Sequence, residues 1–88
     1  MPCRVTTYEP TPNPNALKCV LSRALSERPR SFRNAAEAAG DPLAAGLFGV
    51  PGVTNILING GWMTVGKSPQ AAWPGVKAGV EAVLAALD

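Results

Sequence analysis

The chain offers few side chains that could do chemistry: six carboxylates, two cysteines and no histidine. Without histidine it lacks the usual general base, the usual activator of a nucleophile and the commonest transition-metal ligand. The glycines of ILINGGW match neither a P-loop nor a dinucleotide-binding fingerprint. The carboxylates are scattered along the chain and form no obvious catalytic pair; they are Glu9, Glu27, Glu37, Asp41, Glu81 and Asp88. We therefore predict that the protein is not an enzyme.

Cys3 and Cys19 do not form a CxxC pair. If the first two strands pair across the proline loop, Cys19 lies opposite residue 6 or 7. Cys3 is then on the order of 10 Å further along, at about 3.3 Å per residue. A disulfide needs Cα atoms within about 7 Å, so the spacing argues against both a bridge and a shared metal site. The alternation in ALKCVL places Cys19 on the core face with Leu17 and Leu21, and we expect Cys3 to be accessible at a frayed terminus.

The basic residues are unevenly distributed, although the net charge of +2 is too small to indicate nucleic acid by itself. The segment RALSERPRSFR carries four arginines against the single acid Glu27, and its one aromatic residue is Phe32. A phosphate-binding surface there would make binding depend steeply on salt. We favour the alternative of a solvated loop and expect no nucleic-acid partner. The arginines are Arg23, Arg28, Arg30 and Arg33.

The length of 88 residues, with 47% hydrophobic and 16% charged residues, predicts one ordered domain over residues 1–88. No apolar run is long enough to span a membrane. The start, MPCRVTTYE, lacks the charged and apolar regions of a secretory signal. We therefore expect a cytoplasmic protein with no membrane partner.

Two hairpins are predicted. RVTTYE (4–9) and ALKCVL (16–21) are strand-like segments joined by PTPNPN, and residues 22–33 should be a surface excursion. VTNILINGGWMTVGK (53–67) is a second hairpin, in which Asn59-Gly60-Gly61 favours a type I′ turn. Alternation predicts one apolar face with Ile56, Ile58, Met63 and Val65, and an opposite face with Leu57, Trp62 and Thr64.

Three helical segments are predicted. In NAAEAAG, Asn34 is a suitable N-cap and Glu37 completes a capping box. In DPLAAGLFG, Asp41 caps and Pro42 takes the first helical position. AWPGVKAGVEAVLAALD has an amphipathic pattern with Lys77 and Glu81 opposite the apolar stripe. That stripe contains Trp73, Val76, Val80, Val83, Leu84 and Leu87.

The resulting order is β-β-α(short)-β-β-α. It predicts an α+β fold with a four-stranded, mainly antiparallel sheet and helices on one face. The other face would then be open to solvent or a partner, with Lys18, Val20, Leu57 and Trp62 upon it.

The segments TPNPNALK, SFRNAAEA, PLAAGLF, PGVTNI and MTVGKSP, in this order, resemble the N-terminal domain of Nfu/NifU-type scaffold proteins over about residues 5–87. The resemblance implies an α+β fold and a role in assembling iron–sulfur clusters and delivering them to apo-proteins. In full-length members of that family the cluster is held by a CxxC motif on a separate C-terminal domain, and this sequence contains no CxxC. We therefore expect no intrinsic cofactor, with iron or a cluster reaching the chain only transiently through a partner.

The TPNPN stretch is stiff, since each proline fixes its own φ and restricts the residue before it. A stiff loop loses little entropy on binding and suits a preformed recognition surface. The alternative is that the prolines and asparagines only set the geometry of the hairpin. Trp62 is the expected apolar anchor, because tryptophan is enriched at binding hot spots. The predicted partner-binding residues are Asn13, Asn15, Lys18, Arg33, Trp62 and Lys67.

These residues predict an accessory or adaptor domain that binds a CxxC-bearing iron–sulfur scaffold or its apo-protein targets. One alternative is a domain that binds iron directly through Cys3, carboxylates or a dimer interface. A second alternative is a nucleic-acid or phosphate binder that uses the Arg23–Arg33 segment.

Overall fold

The computed structural model of the protein describes residues 3–25 and 28–86. Within them a five-stranded sheet has the order β1-β2-β5-β4-β3, and every neighbouring pair is antiparallel. The α+β class is confirmed, but the predicted count of four strands was wrong. The elements are β1 (Val5–Pro10), β2 (Ala16–Leu21), β3 (Arg30–Phe32), α1 (Pro42–Phe48), β4 (Val53–Asn59), β5 (Trp62–Lys67) and α2 (Trp73–Ala85).

The additional strand, β3, lies in the segment that was predicted to be a surface excursion. Its Ser31 pairs with Leu57 of β4, which makes β3 the edge strand beside β4. Three residues are too few to show an alternating pattern, and β3 gains its hydrogen bonds from a strand far along the chain. The element order is therefore β-β-β-α-β-β-α rather than the predicted one.

The predicted helix over NAAEAAG does not form, and residues 35–40 make consecutive turns. The local cap is nevertheless present, since the Glu37 amide donates to Asn34 Oδ1 at 3.0 Å. The Glu37 carboxylate accepts from the amide of Arg33, one residue earlier than in a capping box. The amide of Ala38 donates to the carbonyl of Ala35, three residues back. Only Ala38 of this segment is buried, whereas α1 buries Leu43, Ala44 and Leu47, so little packing is available to stabilise a helix here.

Helix α1 confirms its predicted start. Asp41 caps it by accepting a hydrogen bond from the amide of Ala44 at 3.1 Å, and Pro42 takes the first turn. The Asp41 carboxylate also pairs with Arg30, so the same side chain joins the cap of α1 to strand β3.

Helix α2 buries Val76, Val80 and Leu84 against the sheet, as the apolar stripe predicted. Leu87, the last residue of that stripe, lies outside the described residues. Among residues 3–25 and 28–86, no helix is long and apolar enough to cross a membrane.

In the second hairpin Asn59 pairs with Trp62, so the turn residues are Gly60 and Gly61. Only Gly60 has a positive φ, of 62°. A positive φ at the first central residue alone is the pattern of a type II′ turn, so the predicted type I′ turn was wrong. The predicted faces are confirmed, because Ile58 and Met63 are completely buried while Leu57 and Trp62 are half-buried.

The core lies between the sheet and the two helices, and it includes both cysteines as free thiols. Cys19 is buried, as predicted. Cys3 is only 1% exposed, so the expectation of an accessible residue was wrong. The chain before β1 remains attached to the end of β2, since Ser22 donates to the Arg4 carbonyl and the Arg4 amide donates back to Ser22 Oγ. This continued pairing draws Cys3 under the sheet edge.

Candidate functional site

One face of the sheet carries no helix, because α1 and α2 both pack on the other face. Register places side chains of four strands on it. Lys18 lies beside Glu9 on one side and Thr64 on the other, and Val20 lies beside Trp62. Leu57 continues the row beyond Thr64. We call this surface the open face; its residues are Glu9, Lys18, Val20, Leu57, Trp62 and Thr64.

Lys18 and Trp62 are in direct contact at the centre of the open face. The Lys18 ammonium lies 4.8 Å from the centroid of the Trp62 ring, in the range of a cation–π contact. Its other partner is Glu9, at 3.7 Å. The Lys18 side chain is 37% exposed and that of Glu9 49%, so both charges remain in contact with water. Trp62 itself is half-buried. Its side chain is therefore less exposed than expected for a residue on the solvent-facing side of the sheet.

The TPNPN loop is closed by its own side chains. Asn13 Oδ1 accepts from the amide of Asn15 at 2.9 Å. Thr11 Oγ1 accepts from the amide of Asn13 and donates to the carbonyl of Ala16. These bonds replace the strand ladder across the turn, and they show that the asparagine side chain of residue 13 sets the loop geometry.

The same loop is joined to the end of β5 and the start of α2. The Lys67 ammonium donates to Asn15 Oδ1 at 3.1 Å and lies 5.4 Å from the Trp73 ring. Trp73 Nε1 donates to the carbonyl of Pro14 at 3.3 Å. We call Asn13, Pro14, Asn15, Lys67 and Trp73 the loop cluster. Sequence reasoning placed Trp73 in the apolar stripe of α2 and missed its contact with the loop.

Arg33 lies apart from the other predicted binding residues. It follows β3, which is three strand spacings from the Lys18 strand, or roughly 14 Å at 4.8 Å per spacing. Its side chain is 85% exposed and pairs with Glu37. The Arg33 amide, together with the guanidinium, holds the pKa of Glu37 below its usual value. The structure therefore forms two groups from the six residues, Lys18 with Trp62 and Asn13 with Asn15 and Lys67, and leaves Arg33 outside both.

A third cluster lies on the helix-covered side. The Tyr8 hydroxyl donates to the Glu81 carboxylate, and the Lys77 ammonium lies 4.6 Å from the Tyr8 ring. Burial, and then the bond to Glu81, raise the pKa of Tyr8 above its usual value. Burial raises the pKa of the neighbouring Cys19 thiol to about 12, so this thiol is neutral at physiological pH and a poor metal ligand. The sequence signal for this cluster was the i, i+4 spacing of Lys77 and Glu81.

An open groove of about 490 Å³ lies at the start of α2. Its walls are the loop before β4 and the first turn of α2, and Gln70 is the only polar side chain lining it. The lining residues are Pro51, Gly52, Gln70, Ala71, Ala72, Gly75 and Val76.

Within the part of the chain that the structure describes, no three cysteine, aspartate or glutamate side chains lie close enough together to hold a metal ion. The two thiols are both buried in the core.

Residues 5–87 match the protein family described as "Scaffold protein Nfu/NifU N terminal". That match covers almost the whole chain. The chain belongs to this family. The Nfu/NifU N-terminal family links it to the assembly of iron–sulfur clusters on scaffold proteins. No curated protein matches the chain in sequence.

Solved structures share the same fold. The crystal structure of SAV1430 from Staphylococcus aureus has a TM-score of 0.76 and 25% identity, covering 91% of this chain and 96% of that chain. The solution structure of SAV1430 has a TM-score of 0.72 and 24% identity, with coverages of 97% and 92%. SeR13 from Staphylococcus epidermidis has a TM-score of 0.63 and 22% identity, with coverages of 97% and 99%. At such identities these likenesses support the fold of the Nfu/NifU N-terminal domain.

Proposed function

We propose that this Nfu/NifU N-terminal domain is an accessory or adaptor domain in iron–sulfur cluster assembly, acting through protein–protein contacts. The observation that carries the proposal is the Trp62 ring under Lys18 on a sheet face that neither helix covers. A partner on this face would be a CxxC-bearing scaffold or an apo-protein target. Any iron or cluster would be held by that partner.

The open face has the composition of a small binding surface. An aromatic ring is flanked by the apolar side chains of Val20 and Leu57, with the charges of Lys18 and Glu9 at its side. Tryptophan anchors surrounded by less important contacts are typical of interface hot spots. Because the ring already lies in the sheet, few side-chain rotamers are lost on binding, which favours affinity.

The loop cluster supports the same proposal in a different way. Its internal hydrogen bonds hold Asn15, Lys67 and Trp73 in one arrangement before any partner arrives. The loop is joined directly to β1 and β2, the strands that carry Glu9 and Lys18. A partner that extends over this end of the sheet would meet a loop whose conformation is already fixed, without an additional ordering cost.

The alternative functions have less support in the described residues. Direct iron binding through Cys3 would require a thiol that is 1% exposed to leave the core. In the arginine-rich segment, Arg30 pairs with Asp41 and Arg33 with Glu37, so part of its charge is balanced within the domain. An iron titration of the protein and of a Cys3→Ser variant tests the first alternative.

The first test is capture of partners by the tagged protein from nuclease-treated native lysate, at low and high salt. Enrichment of a CxxC scaffold, a cysteine desulfurase or iron–sulfur apo-enzymes is the expected result. If only nucleic-acid-associated proteins are captured, and salt or nuclease removes them, the adaptor proposal is wrong and the arginine segment becomes the binding site.

The second test uses the captured partner in a titration with Trp62→Ala. Loss of a hot-spot anchor is expected to weaken binding by about tenfold or more, which corresponds to about 1.4 kcal/mol. Binding within about twofold of the parent protein would contradict the role of Trp62. Circular dichroism and thermal unfolding of the variant establish that the domain is still folded.

A matched pair of charge reversals separates a surface contact from a general charge effect. Lys18→Glu and Lys77→Glu change the net charge equally, and each removes a lysine that lies over an aromatic ring. Lys18→Glu should weaken binding, whereas Lys77→Glu, on the helix-covered side, should leave binding unchanged.

A further inference from the structure

The second hairpin contains an asparagine followed by glycine, Asn59-Gly60. Its surroundings differ from those of the other asparagines of the chain. The chain has four more, each followed by a residue with a side chain; they are Asn13, Asn15, Asn34 and Asn55. Asparagine is a chemically labile residue. Its side-chain carbonyl carbon can be attacked by the backbone nitrogen of the next residue, and glycine hinders that attack least because it has no Cβ.

The other four asparagines are restrained by the fold. Asn13 precedes a proline, which has no backbone N–H to lose, and its Oδ1 accepts from the Asn15 amide. Asn15 Oδ1 accepts from Lys67 and Asn34 Oδ1 accepts from the amide of Glu37. These contacts hold each side-chain amide in a fixed orientation.

Asn55 is restrained by packing. Its side chain lies over Gly66, so closely that a Cβ at that glycine would be 1.6 Å from Asn55 Oδ1. The next residue, Ile56, is β-branched and 2% exposed. Bulk at the following residue opposes ring closure on Asn55.

Asn59 is the last residue of β4 and pairs with Trp62 across the turn. In a two-residue hairpin turn the flanking pair makes the ladder contacts, and the amide of the first turn residue is outside the ladder. Gly60 has φ +62°, and nothing lies within 4 Å of the position its Cβ would occupy. Asn59 and Gly60 are both partly exposed, so solvent water reaches this turn.

We propose that Asn59 is a site of spontaneous deamidation through a succinimide. The Gly60 nitrogen loses its proton to a solvent base and forms a bond to Asn59 Cγ, and the side-chain nitrogen leaves as ammonia. One water molecule then opens the ring. Cleavage of the bond from nitrogen to Cγ yields aspartate, and cleavage of the bond from nitrogen to the main-chain carbonyl yields isoaspartate.

The modification reaches beyond the turn. Isoaspartate places an additional methylene in the backbone at a residue that pairs with Trp62. The carbonyls of Gly60 and Gly61 accept hydrogen bonds from Leu25 and Leu21 at 3.0 and 2.8 Å, so a displaced turn also loosens the end of β2. Either product adds a negative charge beside Trp62. The consequence is a slow, chemical change of the open face with the age of the protein.

The test is incubation of the folded full chain at physiological temperature and mildly alkaline pH in water enriched in the heavy oxygen isotope. Proteolysis and electron-based fragmentation then locate each converted residue and distinguish isoaspartate from aspartate. The expected result is isoaspartate with heavy oxygen at position 59 before conversion of any other asparagine. Asn59→Gln, which retains the amide but disfavours the five-membered ring, is the matched control and should show no early conversion.

Conversion of Asn15, Asn34 or Asn55 ahead of Asn59 would overturn the proposal, as would product at position 59 that is aspartate alone. The same incubation of the urea-unfolded chain measures how much the fold contributes. All of these readouts are chemical, so their result is independent of whether the domain is an adaptor in cluster assembly.

Discussion

Two groups of similar composition lie on opposite sides of the sheet. On the open face, Lys18 lies over Trp62 and pairs with Glu9; on the helix-covered side, Lys77 lies over Tyr8, whose hydroxyl donates to Glu81. The distances from ammonium to ring are 4.8 and 4.6 Å. Each group thus combines a lysine, an aromatic ring and a glutamate.

The two groups differ in what they connect. Lys18, Trp62 and Glu9 come from neighbouring strands, so their contacts repeat a connection that the backbone ladder already makes. Tyr8 and Glu81 are 73 residues apart and join the edge strand β1 to α2. Similar residues therefore stabilise the tertiary structure on one side, and on the other side remain accessible to a partner.

The largest expected effect is a difference in the free energy of unfolding between two variants of β4, one on each face of the sheet. Ile58→Ala removes a completely buried side chain and should lower the free energy of unfolding by about 2–5 kcal/mol. Leu57→Ala, the matched change on the open face, should cost about 1 kcal/mol because Leu57 is only half-buried. Urea unfolding of both variants measures the difference. Equal losses would show that the open face is as well packed as the core.

Tyr8→Phe removes the hydroxyl that joins β1 to α2 and retains the ring under Lys77. The expected loss of stability is about 0.5–1.5 kcal/mol, the usual net contribution of a hydrogen bond. Urea unfolding gives the loss, and hydrogen exchange of β1 amides should become faster. If neither quantity changes, the Tyr8 group is no more important to the fold than the Lys18 group.

Alkaline pH should lower the stability of the domain through two titratable groups on the helix-covered side. Tyr8 and Cys19 both have pKa values raised above their ordinary values of 10.0 and 9.0. The unfolded chain then releases these protons first, so stability is complete below about pH 9 and declines as pH rises further. Unfolding midpoints measured from neutral to alkaline pH should show this decline, and Tyr8→Phe should make it shallower. An unchanged slope in that variant would contradict the assignment to Tyr8.

The smallest expected effect concerns the ion pair of the open face. A double-mutant cycle of Lys18→Met and Glu9→Gln should give a coupling energy of about 0.2–1 kcal/mol, because both side chains are solvated. Added salt should reduce the coupling further. A coupling well above this range would mean that the pair stabilises the fold in the manner of the Tyr8 group.

Several features of the fold were predictable from short segments. Alternation over β4 and β5 identified the two faces, and it placed Ile58 and Met63 in the core and Trp62 opposite them. Asp41 and Pro42 marked the start of α1. The ordered motifs, beginning with TPNPNALK, indicated the Nfu/NifU N-terminal family. Each of these signals is contained within a few consecutive residues, whose periodicity or capping chemistry does not depend on the remainder of the chain.

The tertiary structure alone decided the rest. Strand β3 forms because β4 offers an unpaired edge, and Cys3 is buried because the chain near Arg4 and Ser22 continues to pair. NAAEAAG has the signals of a helix, but only its Ala38 is buried in the core, and this is too little packing to stabilise one.

The connections that define the candidate surfaces are also long-range. The bond from Trp73 to Pro14 spans 59 residues and the bond from Lys67 to Asn15 spans 52. The sequence by itself determined the strands of the two hairpins, the helices α1 and α2, and the residue types on each face, because these follow from local periodicity. Which side chains meet was decided by the packing of the whole chain, because a contact between distant segments forms only when every intervening element has its place.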